Sequence, residues 1–110
     1  GEVLQIPGAM RIRFGRNSPP IFEQSEAGQS VYFVESGFVK LLRRVPDGLD
    51  TLTGLAGPGD LFGEEVLFGI SKRIATAAPM LPGSAICIPV VEFRAWINRI
   101  NGAWPELLAG

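Results

Sequence analysis

Between Gly59 and Ala77 the chain brings one carboxylate, one guanidinium and several glycines close enough in sequence to build an anion site. The stretch reads Gly-Asp-Leu-Phe-Gly-Glu-Glu-Val-Leu-Phe-Gly-Ile-Ser-Lys-Arg-Ile-Ala-Thr-Ala, a glycine-containing turn and a short helix ahead of a lone arginine and a strand. Glycine lets a ligand approach the backbone, and free amides at a helix start favour an anion. Glu64 is an acceptor for hydroxyls such as those of a ribose. Arg73, nine residues on, presents a planar donor fork suited to phosphate. Together they form a recipe for a sugar phosphate. On residue types alone, a pair at this spacing reads more readily as a solvated salt bridge.

The residues that are absent narrow the chemistry further. With no histidine there is no imidazole base, proton shuttle or imidazole metal ligand. A single cysteine, Cys87, cannot close an internal disulfide, and alone it cannot build a zinc or iron–sulfur site. It lies inside an apolar strand pattern and reads as a small core residue. The adjacent Glu64 and Glu65 point apart and have no nucleophile or metal ligand beside them, so they make a poor acid/base pair. Catalysis is not expected. A net charge of -1 argues against a dedicated nucleic-acid surface. Arg11, Arg13 and Arg16 form a mild basic face that Glu2, Glu23 and Glu26 offset, and Arg43-Arg44 reads as a solvated strand end. No apolar run approaches the roughly 18 residues that span a bilayer, and no basic-led apolar leader is visible. The expected setting is the cytoplasm.

These residues must be positioned by short elements. The 110 residues, 46% apolar and 19% charged, amount to one domain with a buried core. Fourteen glycines and nine prolines punctuate short apolar segments, the pattern of strands joined by turns. Met10–Phe14 alternates apolar and basic. Further strands are expected at Pro20–Phe22, Ser30–Glu35, Phe38–Val45, Thr51–Leu55, Ile74–Ala78 and Ala85–Ile88, seven or eight in all. Ser36-Gly37 and Pro46-Asp47-Gly48 are read as turns. Phe93, Trp96, Ile97 and Ile100 form one helical stripe, with Trp96 in the core. Asn101-Gly102 is expected to end that helix, and Pro105 to open another. Trp104 would cap the junction or meet a partner. An antiparallel sandwich or roll is the natural way to bury such strands. No second domain or linker is visible. The chain begins at Gly1 rather than Met, as an excised domain would.

Several of these segments resemble one family in order and spacing. Phe62-Gly63-Glu64, then Arg73 and Ala75-Thr76, is similar to the phosphate-binding cassette of cyclic-nucleotide-binding domains. Ile21–Glu26, Ser30–Gly37, Gly37–Leu41 and Pro58–Glu64 match in register, and Gly-Glu-Glu-Val-Leu-Phe-Gly is nearest to the bacterial Crp/Fnr (catabolite activator-like) transcription regulators. The resemblance covers roughly residues 11–108, far more than a single motif.

It implies a mainly β fold, a double-stranded β-helix or jelly roll with flanking α-helices, acting over residues 1–110 as an effector sensor. Phe62 would open the cassette, and Gly63 would offer its backbone. Glu64 would accept a ribose hydroxyl, Arg73 would pair with the cyclic phosphate, and Ile74 would cushion it. Leu41 and Thr53 would face the base. Cyclic AMP or cyclic GMP would be the effector, with no other cofactor. The intact protein would be a homodimer, with DNA contacted only through a C-terminal domain outside this chain and no membrane involved. Val66 and Ile74 stand where the family has smaller residues, and overfilling a tight site costs about 1–3 kcal/mol. A ligand-independent domain, or one sensing a non-nucleotide effector, is the alternative. A jelly-roll enzyme of the cupin kind is excluded by the missing histidines.

Overall fold

The computed structural model describes residues 2–109, and the side chains of residues 3–100. A 3-10 turn at Glu2–Gln5 leads into β1 (Met10–Phe14), β2 (Ser30–Arg44), β3 (Asp50–Ala56), β4 (Leu61–Phe62), a second 3-10 helix (Glu64–Phe68), β5 (Thr76–Pro89) and α1 (Val90–Ala109). The strands are antiparallel in the order β1-β5-β2-β3, with β4 paired to β2. This is the expected β-roll with a flanking helix, built from fewer and longer strands than the sequence suggested.

Two of those strands carry the roll. Ser36-Gly37 is not a turn, because β2 runs through it. Likewise β5 runs through Pro82-Gly83 and joins two segments that look separate in sequence. The register slips between Val34 and Val39, opposite Ala85 to Pro79, so both strands bend while staying paired. Gly37 adopts φ +78°, and a Cβ on Gly83 would collide with the Ser36 carbonyl. Only glycine tolerates that approach. Ser36 Oγ receives the Ser84 N–H at 3.2 Å and fixes the crossing. Pro20–Phe22 contributes a single bridge, Phe22 to Ala77, rather than a strand.

Bending gives each long strand two inner faces and hence two cores. Phe14, Phe22, Val34, Val39, Phe62, Ala77 and Ala85 fill the roll. Ile6, Val31, Ile86, Ile88 and Phe93 form the second cluster, against which Trp96 and Ile97 of α1 pack. The predicted helical stripe is therefore present as far as Ile97, while Ile100 is exposed. The helix does not end at Asn101-Gly102. It continues through Pro105 to Ala109 as one element. A helix interior loses only about 1 kcal/mol at Gly relative to Ala and about 3 at Pro, so neither residue is an obligatory stop. The side chains of Glu2 and Trp104 lie outside the described residues. Cys87 is half-buried and unpaired. No helix among the described residues is long and apolar enough to cross a membrane.

Candidate functional site

The segment that carries the site is pinned at its start by a tight turn. Asp60 accepts the Gly57 N–H through Oδ2 at 2.8 Å, and its carbonyl receives the Val34 N–H at 2.9 Å. This sets β4 against Tyr32 and Phe33. Phe62 is wholly buried, stacked on Tyr32 with ring centroids 4.9 Å apart. Gly63 then takes the left-handed conformation, φ +73°, and swings the chain into the 3-10 helix Glu64–Phe68, which Gly69 ends at φ +82°. Arg94 of α1 reaches back and donates from Nη2 to the carbonyls of Val66 and Leu67 at 3.1 and 2.9 Å. The cassette helix is thereby tied to α1.

A cavity of about 250 Å³ opens beside this turn. Gly63 and Glu64 come to it from the cassette, Leu41 from β2, Thr53 from β3 and Ile74 from the approach to β5. These five were named from the sequence, and the fold brings them together. Phe22, Glu65 and Ala75 complete the lining. Burial holds the Glu64 carboxyl above the usual carboxylate range, and neighbouring Glu65 adds to the rise. Ile74 is half-exposed at the cavity, whereas Phe62 and Val66 are core residues behind it. An open polar groove of about 480 Å³ near Gln24, Arg44 and Thr76 holds none of the expected residues.

Arg73 is the residue whose placement differs most from a simple reading. Its backbone is held on both sides: the Arg73 N–H donates to Glu26 O, and the Ser25 N–H donates to Arg73 O, both at 2.8 Å. Burial alternates from here into β5, with Arg73, Ala75 and Ala77 inward and Ile74 outward. Arg73 is thus 4% exposed, and its guanidinium lies beneath the cavity rather than in its lining. Nη1 donates to Gly63 O at 2.9 Å and to Glu65 Oε2 at 3.2 Å, and Nη2 donates to Ser30 O at 2.8 Å. The Phe22 ring lies 4.1 Å from Cζ. Nε is buried with no acceptor. Room for the group comes from Gly63 and Gly28, since a Cβ on either would strike it.

Glu65, Gly28 and Ser30 are the partners that sequence reasoning missed. Ser30 and Gly28 lie more than 40 positions from Arg73, and no local signal links them. The Glu64/Glu65 divergence was legible, and Glu65 is the member that turns inward.

Chemically, the arrangement offers a hydroxyl acceptor, an apolar wall and a guanidinium one layer below the floor. The sequence profile of the cyclic nucleotide-binding domain matches residues 13–99. A CRP-like cAMP-activated global transcriptional regulator of Mycobacterium tuberculosis is 35% identical over 77 residues, 70% of this chain and 34% of that protein. An uncharacterized ABC transporter ATP-binding protein of the same organism is 39% identical over 94 residues, 84% of this chain and 27% of that one. Among solved structures, the catabolite activator protein of Thermus thermophilus superposes with TM-score 0.78 at 31% identity, covering 96% of this chain and 49% of its own. The chain spans about a third of the length of the curated relatives it matches. The profile match runs from the end of β1 through both long strands and the cassette into the first half of α1, and so takes in every residue that lines the cavity. The chain belongs to the cyclic nucleotide-binding domain family.

Proposed function

We propose that residues 1–110 form one effector-sensing domain of a larger cytoplasmic regulator, and that its effector is a cyclic nucleotide. Glu64 accepts a ribose hydroxyl, Gly63 presents its backbone, and Leu41 and Thr53 receive the base. Arg73 neutralises the cyclic phosphate, and Ile74 packs beside it. The observation that carries this reading is the convergence of Leu41, Thr53, Gly63, Glu64 and Ile74 on one cavity directly above the Arg73 guanidinium. The domain performs no chemistry of its own. It works as a sensor, since a ligand shifts a conformational equilibrium only by its differential affinity for the two states. Arg94, joining the cassette helix to α1, is the mechanical link to whatever follows.

The output module is that of a Crp/Fnr-type transcription regulator, acting as a dimer whose DNA contacts lie in another domain. The 39% identity to an ABC transporter ATP-binding protein favours a second arrangement, in which the same sensor regulates a transport ATPase. Titration calorimetry with cyclic AMP and cyclic GMP tests the reading. Removing one partner of a desolvated charge pair costs about 2–5 kcal/mol, so Arg73→Gln is expected to abolish measurable binding while circular dichroism is unchanged. Binding undiminished in Arg73→Gln contradicts it.

A further inference from the structure

The lining of the cavity carries two carboxylates, Glu64 and Glu65, and no cation, because the one nearby guanidinium is turned away beneath Gly63. A cyclic phosphate entering this arrangement would meet like charge. Arg73 is meanwhile already supplied with an anion of the chain's own. Glu65, 7% exposed, stands 3.2 Å from Nη1, and the carbonyls of Gly63 and Ser30 take two further donor positions. We propose that Glu65 is the resident counter-ion of Arg73, holding the arginine in a withdrawn, self-paired state that an anionic effector must break. The proposal rests on the nucleotide reading above and deepens it.

Two features make the withdrawn state a competitor rather than a fixed scaffold. Nε of Arg73 has no acceptor, so the slot satisfies the fork incompletely, and a buried unpaired donor is costly. Conversely, the pair is well shielded from water, so its Coulomb attraction is not screened as a surface pair would be. A ligand phosphate therefore exchanges one anion on Arg73 for another, and leaves Glu65 buried without its partner. Much of the attraction between phosphate and guanidinium is spent on that exchange. Glu65 thus opposes the phosphate twice, by its own charge at the cavity wall and by occupying Arg73, and as a positioning residue it sets the affinity without bonding to the ligand.

The test is titration calorimetry with cyclic AMP on the wild-type domain, Glu65→Gln and Glu65→Leu. Gln keeps an acceptor of nearly the same shape for Nη1 and removes only the charge, so it decides the matter if Leu fails to fold. Without the resident anion, both variants are expected to bind about tenfold more tightly or better. A carboxylate with a merely structural role would, on removal, weaken binding or leave it unchanged, and either result overturns the proposal. Wild type binding as tightly as both variants overturns the counter-ion role alone. Absence of binding in all three folded proteins overturns it together with the nucleotide reading.

Discussion

Gly28 provides the sharpest probe of the withdrawn arginine, because it does not line the cavity. A Cβ at this position would fall on Nε and Cζ of Arg73 and lie 2.8 Å from Nη2. Gly28 is not in the left-handed region, so alanine introduces no backbone strain of its own. What must give is the guanidinium, and it leaves only by breaking its bonds to Gly63 O, Glu65 Oε2 and Ser30 O. Stranding one member of a buried ion pair costs about 3–5 kcal/mol, while alanine recovers about 0.4–1 kcal/mol by restricting the unfolded chain. The net expectation for Gly28→Ala is a loss of about 3 kcal/mol, or about 12 °C in Tm for a domain of this size. In an Arg73→Ala background the collision is gone, so the same substitution should be neutral or slightly stabilising. Chemical denaturation of the four proteins of this double-mutant cycle measures the coupling. A Gly28→Ala cost below about 1 kcal/mol, or one equally large in both backgrounds, would refute the buried placement of Arg73.

Two further outcomes follow from other contacts. Arg94→Met keeps the aliphatic stem but loses both bonds to the cassette carbonyls, so it should weaken that segment by about 1–2 kcal/mol. Hydrogen exchange should accelerate at Gly69 and Ile70 but not at Val34, and a uniform change across the sheet would contradict the tie. Glu35 is held down at about 2 by a two-pronged bond to Arg11 at 2.7 and 2.8 Å and by the Ser84 hydroxyl. A depressed carboxyl contributes stability above its ordinary value of 4.5 and loses it as pH falls toward 2. The gap between wild type and Glu35→Gln should therefore be full at pH 6 and close between pH 4.5 and 2. A pH-independent gap would refute the assignment.

The parts of this molecule that were legible in its sequence are those with local signals. The alternation of Ile12 and Phe14 in β1 and the spacing of Phe93, Trp96 and Ile97 each report a face directly, although Met10 at the start of the same pattern is exposed. The gathering of Leu41, Thr53, Gly63, Glu64 and Ile74 followed from motif order over the whole chain. The long bent strands were not legible, because Ser36-Gly37 and Pro82-Gly83 each look like a turn when taken singly. They become paired bulges only because they lie opposite one another, a fact about two segments nearly fifty residues apart. The direction of Arg73 is a relation of the same kind. Its slot is assembled from Phe22, Gly28, Ser30, Gly63 and Glu65, and a charged residue followed by Ile-Ala-Thr-Ala gives no sign of such company. Val66 shows the converse: read as crowding the phosphate, it is buried and does not line the cavity.

A crystal structure of the domain with cyclic AMP tests the central claim most directly. The account predicts the nucleotide in the cavity above Gly63, its ribose on Glu64, and the Arg73 guanidinium moved from Glu65 and Ser30 onto the cyclic phosphate. A nucleotide seated elsewhere, or one held in the cavity while Arg73 remains paired with Glu65, would contradict it.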